Sequence, residues 1–84
     1  MSNLHKINNI FFKFPVVRIK FVKLNGDTRT IIGTSWESMM PEDKRPNGNG
    51  QANYHRAYPV FDLNLQDWRS FPPDNVLNIE AVTS

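Results

Sequence analysis

The chain has 84 residues, ten Lys and Arg against eight Asp and Glu, and no cysteine. That length allows one domain with a thin core, and the missing thiols exclude a disulfide framework, thiol redox chemistry and cysteine–zinc sites. No apolar run approaches the ~20 residues of a membrane span, and the opening residues carry one lysine before a broken apolar patch and no small-residue cleavage site, so a cytoplasmic protein without a signal peptide is expected.

A net charge of +2 is weak support for a nucleic-acid partner; its distribution says more. Lys6 and Lys13 precede a strand candidate bearing Arg18, Lys20 and Lys23, while Lys44, Arg45, His55 and Arg56 bracket a central loop. The acids collect in turns, at Asp27, Glu42, Asp43, Asp67 and Asp74. Basic strands with acidic turns produce one positive face; ordinary solubilising charge on the outside of a sheet explains them equally well.

Residues 1–14 read as an N-terminal extension. Ile7, Ile10 and Phe11 fit one helical face, or a tail that closes over the rest of the domain. Val16 to Leu24 is the clearest strand: Val17, Ile19 and Phe21 alternate with Arg18 and Lys20 at the period of a half-buried sheet. Asn25-Gly26 predicts a type I′ hairpin turn, whose central residues need positive φ. Thr28 to Thr34 returns as the second strand, with Gly33 marking a bulge or a sharp bend. Thr34 and Glu37 have the spacing of a capping box opening one helical turn, which Pro41 ends, and Met39 and Met40 are expected to fill gaps beneath it.

Residues 44–58 carry two of the four glycines, Gly48 and Gly50, with Pro46, Asn47, Asn49 and Asn53. A connection of that length is uncommon in a compact domain unless it has a function. Val60 to Leu63 is a third strand, Asn64 to Asp67 a turn, Trp68 to Phe71 a fourth strand, Pro72 to Asn75 a 3₁₀ turn, and Val76 to Val82 a fifth. The expected architecture is one all-β domain, a five-stranded SH3/Sm-like barrel over 16–82 with one short helical turn. An OB-fold barrel competes, but it wants a helix where only the 64–67 turn is found. The expected core is Val17, Ile19, Phe21, Ile31, Phe61, Leu63, Phe71, Leu77 and Ile79.

Arg29-Thr30 with Gly33-Thr34, the block Pro41 to Pro46, Val60 to Leu63, Trp68 to Phe71, and Asp74 to Leu77 with Ile79-Glu80 together resemble the WYL-type, Sm-like SH3 β-barrel family of tailed bacteriophages and gut bacteria. The resemblance covers about residues 16–80 and departs at Ser35-Trp36-Glu37, where a more aliphatic segment is expected. It implies the barrel, a phage origin, and kinship to ligand- and nucleic-acid-sensing WYL domains that regulate transcription; it implies no catalytic residues.

No enzyme, cofactor or metal site is expected. His5 and His55 stand fifty residues apart without supporting ligands, no nucleophile elbow surrounds Ser35, Ser38 or Ser70, and Gly48-Asn49-Gly50 lacks the lysine and helix of a phosphate-cradling loop. Binding remains. Lys44, Arg45, Tyr54, His55, Arg56 and Tyr58 interleave cations with rings, the pattern that neutralises phosphates and stacks on unpaired bases. Arg69 stacks on a ring or pairs with Asp62 across the strands, and Trp36 is either a buried staple or an exposed anchor. The leading expectation is a nucleic-acid binder, RNA or DNA, acting on transcription. A protein-binding inhibitor of a host factor is the alternative, because the same residue types dominate protein hot spots and Phe11, Phe12 and Phe14 offer an apolar patch. Edge-to-edge self-assembly is the third.

Overall fold

The structure is a computed structural model and describes residues 4–45 and 56–82. A ten-residue helix, α1 (Leu4–Lys13), precedes five strands: β1 (Val17–Val22), β2 (Thr28–Thr34), β3 (Tyr58–Asp62), β4 (Asp67–Phe71) and β5 (Val76–Ala81). They form one antiparallel sheet in the order β4-β3-β2-β1-β5. Two single-turn 3₁₀ helices, Glu37–Met39 and Glu42–Lys44, follow β2, and a third, Pro73–Asn75, joins β4 to β5.

The N-terminal stretch takes the helical reading. Ile7 and Phe11, four residues apart, share one face and are buried against the core. The Phe14 N–H bonds back to the Ile10 carbonyl, and Pro15 stops further winding because it drives the residue before it out of the α region. Phe11 stacks on Tyr58 at 5.6 Å between ring centroids, and Tyr58 meets Phe71 at 5.3 Å. The helix therefore closes one end of the sheet, and the Phe11 ring is core rather than part of a surface patch; Phe12, 81% exposed, takes that place.

β1 alternates as its sequence requires: Val17, Ile19 and Phe21 face in, Arg18 and Lys20 out. On the outer face Arg18 donates to Glu80, its cross-strand partner. The turn after β1 is not type I′. The Lys23 carbonyl accepts from Gly26 N–H, the Lys23 N–H reaches the Asp27 carbonyl at 2.7 Å, and only Gly26 has positive φ, at 94°. Leu24-Asn25-Gly26 is thus a three-residue loop, a type I turn closed by a glycine bulge. The Asn25 side chain stabilises it by accepting from the Asp27 N–H, which removes the need for positive φ at Asn25.

Gly33 marks a close approach rather than a bulge. Its pairing with Val17 is in register, and a Cβ there would lie 2.5 Å from Val60 Cγ2 and 2.6 Å from the Phe61 carbonyl oxygen. The bulge lies in β5 instead: Lys20 pairs with Asn78 but Phe21 with Val76. Leu77 is the extra residue between them, and it points to solvent, 59% exposed, instead of joining the core. Leu63 is also displaced from its expected core place; it opens the β3–β4 turn and is half-buried. Ile79 packs at the core's margin, while Val60, Ile7, Phe11 and Tyr58 complete the centre. Met40 is buried as expected of a gap-filler, whereas Met39 is 39% exposed.

The capping box does not form. Thr34 belongs to β2, and its buried hydroxyl accepts from Trp36 N–H at 2.9 Å; the first 3₁₀ turn begins only at Glu37, without a side-chain cap. Thr34 Oγ1 thus shapes the exit of a strand rather than the start of a helix.

Candidate functional site

The cations and rings of this chain fall into two groups, separated by what they touch. The first lies at the stem of the long connection before β3. Lys44 ends the second 3₁₀ turn, and its Nζ pairs with Asp67 Oδ1 at 3.3 Å. Its carbonyl accepts from Trp68 Nε1 at 2.7 Å, and the Trp68 ring meets Phe61 edge-on at 5.7 Å. Arg45 Nε donates to the Glu37 carbonyl at 3.0 Å. Trp36 Nε1 donates to the Phe11 carbonyl at 2.9 Å, and Ser35 Oγ bonds the same oxygen. Trp36 therefore staples the start of the first 3₁₀ turn to α1 while the residue stays 37% exposed. Of these, Lys44, Arg45 and Trp36 are the residues expected to hold a ligand; here their polar atoms bond within the stem. The Trp68 backbone N–H, together with Lys44, keeps the Asp67 carboxyl below its usual value of 3.8.

Tyr58 is a correction of a different kind. It begins β3 two residues ahead of the expected strand, is buried between Phe11 and Phe71, and its hydroxyl bonds Asn8. It is a core ring and not a surface for stacking. Tyr54 and His55 lie outside the described residues.

The second group surrounds a groove of about 450 Å³ between the β1–β2 hairpin and β4. Among the described residues, Lys23, Arg29, Arg56 and Arg69 line it, and no acidic residue does. Phe21, Ile31 and Phe71 form its floor. The register explains how two arginines came to lie here. Arg29 pairs directly with the buried Phe21, so it shares the inner face with Phe21 and Ile31. Arg69 pairs with the fully buried Val60 and stands two residues before the buried Phe71, again on the inner face. Inward strand positions are normally apolar. Here each arginine is half-buried and lines the groove, a position that an arginine tolerates because its long aliphatic stem can cover apolar surface while its charged head stays in water.

Arg69 does not pair with Asp62. The Asp62 carboxylate, 5% exposed, accepts from the backbone N–H groups of Asn64 and Leu65 and so caps the β3–β4 turn, and the register places Asp67, not Arg69, opposite it. Among the described residues, the ion pairs are Arg18–Glu80 and Lys44–Asp67, so none of the four groove cations is in direct contact with a described carboxylate; Arg69 acts on Asp67 only as the weakest of the influences that lower its pKa.

Arg56 and Arg69 were legible as candidates; Lys23 and Arg29 were not singled out for the site. Their signal was present in the alternation of β2, where Arg29, Ile31 and Gly33 fall on one face. It became readable only once Phe21 was known to lie opposite Arg29. Among the described residues no three His, Asp or Glu side chains gather as metal ligands, and no helix is long and apolar enough to cross a membrane.

A comparison with curated proteins found no match, and one with solved structures found none either. A protein-family model, WYL_2, Sm-like SH3 beta-barrel fold, matches residues 13–77, from the last residue of α1 into β5. With most of the chain inside that match and a five-stranded antiparallel sheet behind it, this protein belongs to the WYL_2 family of Sm-like SH3 barrels.

Proposed function

We propose that this protein is a non-enzymatic nucleic-acid-binding module, and that the groove between the β1–β2 hairpin and β4 is the surface that binds. The observation that carries the reading is the convergence of Lys23, Arg29, Arg56 and Arg69 around one groove with no acid among its described lining residues. Clustered cations with no internal counter-charge raise the local positive potential far above what a net charge of +2 suggests. A phosphate backbone is the polyanion such a cluster suits, because each neutralised phosphate releases a condensed counterion. The setting we propose is control of transcription in a phage-infected host cytoplasm; its support is the kinship of the family to WYL domains.

A protein partner is the second reading, supported by Phe12 at 81% and Leu24 at 93% exposure. A pull-down from host lysate with and without nuclease separates the two. Salt dependence does so more sharply. If the four groove cations each meet a phosphate, log K falls against log salt with a slope of about −3, a loss of about fiftyfold between about 50 and 200 mM. A protein complex anchored by Phe12 and Leu24 would be nearly indifferent to that change. A flat salt response, with capture that survives nuclease, would replace the first reading by the second.

A further inference from the structure

Resting on the nucleic-acid reading, we infer that the groove seats an unpaired strand, held at its phosphates by Arg29 and Arg69, and reads little of the base sequence. Three observations lead there.

The first is position. Both arginines stand on the inner face, opposite Phe21 and Val60, and both line a recess rather than a convex surface. A recess of about 450 Å³ is the scale of pockets that enclose a small ligand unit. A flexible strand can lower one nucleotide into it. A duplex is a broad cylinder whose bases are stacked and paired, and it can only lie across the rim.

The second is chemistry. Phe21 and Phe71 are 3% and 1% exposed, so they make a floor and not a stacking face. The apolar atoms that remain open are those of Leu24, Ala57, Pro72 and the arginine stems. An unpaired nucleotide offers both an uncovered base face for these atoms and a phosphate for the guanidinium forks, which match its geometry in a bidentate way. Double-stranded DNA offers the phosphates alone at this site.

The third is the scarcity, among the described lining residues, of uncharged side chains that read base edges; an arginine can read guanine, but Arg29 and Arg69 are assigned here to phosphate. Discrimination between bases needs fixed donors and acceptors at their edges. Among the described residues, Asn25 and Ser70 are the uncharged polar side chains in the wall, and Asn25 is already engaged at both ends, to Asp27 N–H and to Asp27 Oδ2. One hydroxyl is left, which can donate to one partner and accept from another and so separates bases poorly.

The test is fluorescence anisotropy with labelled oligonucleotides of equal length: two unrelated single strands and the duplex of one of them. The expected result is single-strand binding tighter than duplex by about tenfold or more, with the two single strands within about threefold of each other. Arg29→Ala and Arg69→Ala are each expected to weaken the single strand about tenfold, and Arg29→Lys and Arg69→Lys to recover part of the loss. Circular dichroism of each variant keeps a folding defect from imitating a binding defect, and Arg29→Gln, which retains the stem, stands in if the alanine variant unfolds. Duplex bound as tightly as single strand, a strong preference between the two sequences, or arginine variants that leave single-strand affinity unchanged would overturn the inference while nucleic-acid binding survives. An unlabelled mononucleotide that competes as well as the strand would make the groove a nucleotide pocket and overturn it too. Absence of binding to every oligonucleotide at low salt would remove the nucleic-acid reading itself, and this inference with it.

Discussion

The stem of the long connection and the groove beneath the β1–β2 hairpin are built from the same residue types, and the difference between them lies in their partners. At the stem, Lys44 meets Asp67, Arg45 meets the Glu37 carbonyl, and two indole N–H groups find carbonyls at Phe11 and Lys44. At the groove, Lys23, Arg29, Arg56 and Arg69 share an opening with no acid among the described residues. A cation or an aromatic ring is a candidate for binding only to the extent that the fold leaves its polar atoms unengaged. Pattern alone weights the two places equally; hydrogen bonding separates them.

Substitutions on the stem side should therefore cost stability and leave the groove's affinity intact in whatever fraction folds. The largest effect is expected at Phe11, which α1 buries against Tyr58. Phe11→Ala should lower the unfolding free energy by about 3–5 kcal/mol, measured by urea denaturation. A loss under about 1 kcal/mol would mean that α1 is an accessory and not part of the core.

Gly33 and Asp62 come next, because both sit where β2 and β3 meet. Gly33→Ala forces a Cβ against Val60 and the Phe61 backbone, and a cost of about 1–3 kcal/mol or more is expected, since backbone cannot yield as a side-chain tip can. Asp62→Ala leaves two turn N–H groups without their acceptor, at about 1–3 kcal/mol. Asp62→Asn, which keeps an acceptor oxygen, should recover most of that. If Asn is as damaging as Ala, the charge of Asp62 matters more than its capping geometry.

Trp68→Phe keeps a ring beside Phe61 but removes the donor to the Lys44 carbonyl. About 1 kcal/mol of stability should go, with oligonucleotide affinity unchanged. A comparable fall in affinity would erase the distinction between stem and groove.

The smallest effect concerns Asp67, which is exposed. Its carboxyl is held below 3.8 chiefly by the Trp68 backbone N–H, then by Lys44. A depressed folded-state value means the unfolded chain takes up the proton first. The contribution is therefore present above the usual value and lost as pH falls through the folded one, so it matters only in acid. Lys44→Ala should move the Asp67 midpoint part of the way up in an NMR titration, and leave the part due to the backbone bond. An unmoved midpoint would show that the Lys44 contact does not persist in solution. Exposed ion pairs of this kind contribute little to stability.

Much of the fold was legible beforehand because its causes are local. The alternation of β1 can be satisfied only by a strand with Val17, Ile19 and Phe21 inward, and the five strands lie within two residues of where pattern and turn residues put them. The misreadings share a cause. Asn25-Gly26 does form a turn, but its type depends on how the flanking strands pair, and Leu77 has a core residue's chemistry in a bulge set by β1. Thr34 has a cap's chemistry at the end of a strand.

What the sequence determines by itself is the set of strands and the presence of cations near the hairpin and the central loop, because short-range sterics and the two-residue period act without reference to distant chain. What only the tertiary structure decides is which cations have partners. Lys44 meets Asp67 across 23 positions, and Arg29 comes to share a groove with Arg69 from 40 positions away through the stacking of β1, β2, β3 and β4. Charge is a property of a residue, but an unneutralised charge is a property of its surroundings, and those are assembled only when the sheet closes on its core.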